Sequence, residues 1–135
     1  MKPFYSERYL RMVCAAEARG FLKTIFLLED IDCGMVSADF KNVDFNEPSP
    51  DRLKTVFRCC VSIRYSDGEA DRYIVCGTIG HGGIDCNSII TDDGNGVLIY
   101  WDDGFGRHED HLQTVKKRRE QRKKQKAAGM KKETT

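Results

Sequence analysis

At 135 residues, with 40% hydrophobic and 32% charged side chains, the chain is sized for one modest core, and its composition excludes a low-complexity or disordered class. No apolar run approaches the roughly 18 residues of a membrane span, and the opening Met-Lys-Pro-Phe-Tyr-Ser-Glu-Arg has no apolar stretch of the secretion-signal kind. The formal charge of +1 hides a division: residues 1–115 hold 12 Lys/Arg against 19 Asp/Glu, a net −7, whereas residues 116–132 hold 10 Lys/Arg against Glu120 alone, a net +9, and Glu133 completes the balance. Such a split marks a charged interaction segment, so the expected organisation is one domain over 1–115 and a basic helical tail over 116–135.

Ser6 can cap a helix and Glu7 suits its positive N-terminal end. Tyr9, Leu10, Val13, Cys14 and Ala16 begin an apolar stripe, Gly20 interrupts it, and Leu22, Ile25, Phe26 and Glu29 resume the helical period. The expectation is a helix over 6–30, with a candidate break at Gly20 and Gly34 closing the element. Residues 46–51, Asn-Glu-Pro-Ser-Pro-Asp, read as a loop.

From Leu53 the period becomes two. Leu53, Thr55, Phe57, Cys59, Val61, Ile63 and Tyr65 share one face of a strand, the core face, and Lys54, Val56, Arg58, Cys60, Ser62 and Arg64 the other. Ser66-Asp67-Gly68 turns the chain, and residues 72–79 return as the partner strand. Asp92-Asp93-Gly94-Asn95-Gly96 and Asp102-Asp103-Gly104 are further turns around a strand over 97–101, and residues 108–115 end the sheet and start a helix. Together these elements predict an α+β fold, an N-terminal helix packed on an antiparallel sheet, with a basic C-terminal helix.

Gly96-Val97-Leu98-Ile99-Tyr100-Trp101-Asp102-Asp103-Gly104 followed by Asp110-His111-Leu112-Gln113-Thr114-Val115 resembles the end of small SH3-like or Tudor-like barrels. The resemblance covers residues 73–115 and implies closure of the sheet into a barrel that binds nucleic acid or peptide through loops and exposed aromatics, for which Tyr100 and Phe105 are the candidates.

Six cysteines without a secretion signal predict free thiols or a metal site rather than disulfides. Cys76, His81 and Cys86, with Gly77 and Gly80, resemble a zinc knuckle in spacing, but Tyr73 stands where its first cysteine belongs. Cys59 or Cys60 is the alternative fourth ligand that a tetrahedral site requires. With that ligand missing, the segment reads as a glycine-rich loop between strands, and no metal or cofactor is expected. His108, Asp110 and His111 form a metal-nuclease candidate whose simpler reading is a solvated helix start. His81 beside Cys76 or Cys86 is the one local nucleophile–base pair, and no phosphate-cradling Gly-Lys-Thr is present, so no enzyme is expected.

The tail carries the functional expectation: a non-enzymatic nucleic-acid-binding protein of the cytoplasm, or of the nucleus in a eukaryote. Lys116, Lys117, Arg118, Arg119, Arg122, Lys123, Lys124 and Lys126 are the candidate phosphate contacts for DNA or RNA. Their helix shows no apolar face with which to dock, so it is expected to project from the body or form on a partner. Specificity would come from the body, because phosphate contacts carry none. Two alternatives remain. The tail folds back on the acidic body, or the protein is a small phage-type regulator of a host or defence enzyme that acts through that acidic body on a protein partner.

Overall fold

A computed structural model describes residues 7–46, 55–80, 83–92, 94, 96, 98–101 and 112–133, with 112–114 and 126–133 as backbone. Helix α1 (Glu7–Leu28) leads into five strands, β1 (Met35–Phe45), β2 (Thr55–Arg64), β3 (Ala70–Gly80), β4 (Gly83–Thr91) and β5 (Leu98–Trp101), and helix α2 (Leu112–Glu133) ends the chain. The strands pair in sequence order, each antiparallel to the next, so the α+β class and the antiparallel sheet stand as read. Among the described residues no pairing joins β5 to β1, and the sheet is open rather than closed into a barrel.

α1 runs unbroken through Gly20, which is exposed and meets nothing a side chain would displace. Its buried residues are Cys14, Ala15, Ala18, Leu22, Ile25 and Phe26, so the stripe sits one position away from Tyr9 and Ala16, both exposed. Gly34 does not close the helix. Asp30 does, in the left-handed region at φ 59°. The Ile31 amide then reaches back to the Phe26 carbonyl at 2.8 Å, and the Asp30 amide to the Leu27 carbonyl at 3.1 Å. Aspartate tolerates that conformation better than most side chains, and the paired bonds satisfy carbonyls the helix end leaves open.

The register fixes which residues face α1. Val43, Cys59, Val75, Ile89 and Tyr100 form one row across all five strands, and every one of them is buried. Phe57, Val61 and Ile63 lie on the same face, as the alternation of β2 requires. Phe57 lies opposite Gly77, where an added Cβ would come within 2.7 Å of the Phe57 ring and 2.5 Å of the Asp85 carbonyl. The glycine in β3 is therefore a packing residue that admits the phenylalanine.

Two segments differ from the sequence reading. Residues 35–45, left without an element, form β1, whose Val36, Ala38, Phe40 and Phe45 pack against the core. The glycine-rich stretch read as a loop is instead the end of β3 and all of β4, joined through residues 81–82. The strand expected over 97–101 is β5. The loop over 46–51 falls almost wholly outside the described residues, as do Leu53, Lys54 and His108 to His111.

Candidate nucleic-acid interface

Among the described side chains of α2, Val115 is buried, and Arg119 and Arg122 add charged contacts to the body. At 3.6 residues per turn, Val115, Arg119 and Arg122 share one side of the helix. That side meets the hairpin between β2 and β3. There the Tyr65 carbonyl accepts from the Gly68 amide at 3.0 Å and the Tyr65 amide donates to the Glu69 carbonyl at 2.8 Å. Gly68 takes φ 89°, the left-handed position such a turn demands. Asp67, Glu69 and Asp71 then follow at every second residue, so three carboxylates leave the hairpin on one side.

The arginines fill that acidic edge. Arg119 Nη2 donates to Asp67 Oδ2 at 2.8 Å, and its guanidinium carbon lies 3.5 Å from the centroid of the Tyr65 ring. Arg122 is bidentate on Asp71, Nη1 to Oδ1 at 3.1 Å and Nη2 to Oδ2 at 2.7 Å, with Glu69 Oε2 3.7 Å from its Nε. A planar guanidinium matches a carboxylate in this two-bond fork and stacks on an aromatic ring, neither of which an ammonium does. Beneath them, the Tyr65 hydroxyl donates to Asp71 Oδ2 at 2.8 Å and lies 3.3 Å from the Tyr73 hydroxyl.

Electrostatics follow this geometry. The Asp67 carboxyl is held below its ordinary range, first by the Glu69 backbone amide and then by Arg119 and Lys123 nearby. Arg122 is pushed up by its bond to Asp71. Burial raises both tyrosines, Tyr73 to about 12. Burial likewise pushes Cys14 and Cys33 up to about 11 and Cys59 and Cys86 up to about 12. These thiols stay protonated near neutral pH and are poor nucleophiles and poor metal ligands in that form.

The docked helix corrects the expectation that α2 has no face with which to dock: among the described side chains that face is Val115, Arg119 and Arg122. The tail residues accordingly separate into two sets. Arg119 and Arg122 are committed to the hairpin, and Arg118 is half-buried near Tyr73. Lys117 and Lys124 lie on the opposite side of the helix, exposed, with Lys123 exposed and Lys116 half-buried on its flanks. The Lys126 side chain lies outside the described residues. The hairpin carboxylates were missed in the sequence, although the spacing Asp67-x-Glu69-x-Asp71 against Arg119-x-x-Arg122 carries the signal.

The other motifs resolve into the sheet. Tyr73 and Cys86 face the core, whereas Cys76 occupies the alternate side of β3, and His81 lies outside the described residues. Among the described residues no three ligating side chains group to hold a metal. Tyr100 is buried against Phe21, ring centroids 5.6 Å apart, which corrects its reading as an exposed aromatic. Phe105 lies outside the described residues. None of the described helices is long and apolar enough to cross a membrane. No protein-family model, curated protein or solved structure matches the chain.

Proposed function

We propose that the protein binds nucleic acid without catalysing a reaction, through the solvent side of α2. The observation that carries the reading is the division of α2: arginines hold the helix to the body, Lys117 and Lys124 face outward, and Lys123 stands exposed on the flank beside Asp67. Lysine is a point charge that suits sequence-independent phosphate contact. Arg119 and Arg122 offset two of the three charges of Asp67, Glu69 and Asp71, so the acidic body repels a polyanion less where the helix sits.

Three lysine contacts on a duplex give a log–log salt slope of about −2.7, and a fourth from Lys126 gives about −3.6. A slope steeper than about −4 would instead mean that the arginines leave the hairpin to join the contacts. The test is fluorescence anisotropy on labelled duplex and single-stranded oligonucleotides across a salt series. Lys117→Glu with Lys124→Glu is expected to weaken binding of both by about tenfold or more at low salt. Absence of binding by the intact protein at about 50 mM salt defeats the reading. It would leave the regulator alternative, in which the acidic body meets a protein partner. A cytoplasmic or nuclear setting belongs to the same proposal.

A further inference from the structure

The sheet face turned away from α1 carries Arg58, Arg64 and Arg72 among Ser37, Cys60 and Ser62. At the end of the sheet nearest the β2–β3 hairpin this face sinks into an open groove of about 750 Å³, whose polar lining is Ser37, Ser62, Arg64, Asp71, Arg72 and Asp92. The register places Ser37 opposite Ser62, Ser62 opposite Arg72, and Arg64 opposite Ala70. Two arginines on adjacent strands are thus diagonal neighbours, about 7–8 Å apart at their bases.

Such a pair repels unless something anionic lies between its members. Among the described residues Arg64 has no carboxylate partner, and Arg72 has Asp92 alone, at 3.8 Å with the Arg72 side chain 67% exposed. The Ser37 and Ser62 hydroxyls likewise have no partner among the described residues. One unpaired guanidinium, a second held only by a long and largely exposed ion pair, and two free hydroxyl donors in one concavity are a donor set for phosphate oxygens.

Continuity with α2 identifies the occupant. Asp71 lines this groove and also receives both Arg122 nitrogens, so the groove and the seat of α2 adjoin at the hairpin end of the sheet, on its two faces. The groove spans β1 to β3, about 10 Å at the usual strand spacing. That width accommodates one extended chain, whereas a stiff, convex duplex cannot enter it. We propose that the groove is a second phosphate-binding site that takes the backbone of a single-stranded nucleic acid running on from α2. The proposal rests on the nucleic-acid reading and adds strandedness to it.

The test uses the full chain with a labelled oligothymidylate of about 16 nucleotides, a length within reach of one small domain, and a duplex of the same length. Arg64→Glu with Arg72→Glu is expected to weaken single-strand binding by about tenfold and to flatten its salt slope by about 1.4, two contacts at about 0.7 each. Duplex affinity should stay within about twofold, because the duplex is held by α2 alone. Ser62→Asp, which adds charge without removing an arginine, should act in the same direction, and Arg64→Lys with Arg72→Lys should restore most of the affinity. Unchanged single-strand binding by the Arg64→Glu, Arg72→Glu protein overturns the groove while leaving α2 intact. Equal loss on both nucleic acids overturns it as well. An intact protein that binds neither ligand defeats the groove and the underlying reading together.

Discussion

The two helices are the same length, 22 residues each, and are held by opposite means. α1 buries six residues against the sheet, and its one prominent tie to a strand backbone is Arg11, which donates to the Val43 carbonyl. Among its described side chains α2 buries Val115, and Arg119 and Arg122 hold it through the hairpin carboxylates. Apolar burial is insensitive to salt at ordinary concentrations and to pH. Ion pairs that are about an eighth to a third exposed respond to both. One chain therefore contains a fixed helix and a conditional one, and the conditional helix is the one that carries the exposed lysines.

The largest expected effect is on the fixed helix. Phe26 is fully buried and packs edge-on to Tyr73, ring centroids 5.3 Å apart. Phe26→Ala should cost about 3–5 kcal/mol in denaturant unfolding. A loss below about 1 kcal/mol would mean that α1 is no better anchored than α2.

A smaller loss is expected at the seat of the conditional helix. Arg122→Ala removes a two-bond contact whose members are 29% and 20% exposed, for about 1–2 kcal/mol after allowance for solvent screening. The same change should speed amide exchange through α2 while leaving α1 protected. If exchange rises equally in both helices, the two are one cooperative unit and the contrast fails.

Salt sharpens the comparison without a substitution. At about 1 M the screening length falls to about 3 Å, and α2 amides should exchange faster while α1 amides do not. Exchange in α2 that ignores salt would place its anchorage in Val115 rather than in the arginines.

The smallest effect is that of acid. Because the folded Asp67 carboxyl lies below its ordinary range, its contribution is fully present above the unfolded value of about 3.9 and is lost as pH falls through the lowered folded value. Protection of α2 should accordingly hold from neutral pH to about 4 and decline below it, ahead of any change in α1. A decline that began near pH 6 would implicate a histidine instead.

How much of this was legible in the chain can be read from particular residues. The alternation from Phe57 to Ile63 gave the core face of β2 directly, because a strand's side-chain period is two and one face of this sheet is covered. β1 was not seen although Val36, Ala38 and Phe40 alternate in the same way. Its signal is diluted by Asp39, Lys41 and Asn42, and the register of the strand shifts between Ala38 and Val43. The Gly77–Gly83 stretch looked like a loop because glycine weakens a strand pattern. Only the approach of Phe57 across the sheet shows why Gly77 belongs there.

The sequence by itself determined the class of the fold, the core strand and the division of charge at residue 115, since each depends on local period or simple counting. The fate of the charges was decided by tertiary structure. Arg119 lies 52 residues from Asp67 and Arg122 lies 51 from Asp71, and pairing over such distances exists only once the meander has set the hairpin beside Val115. Whether a cation is spent on a neighbour or left for a ligand depends on which side of α2 it occupies and what the sheet puts there. Lys117 and Arg119 stand two positions apart in a run of like charges, and the fold sends one to solvent and the other onto Tyr65.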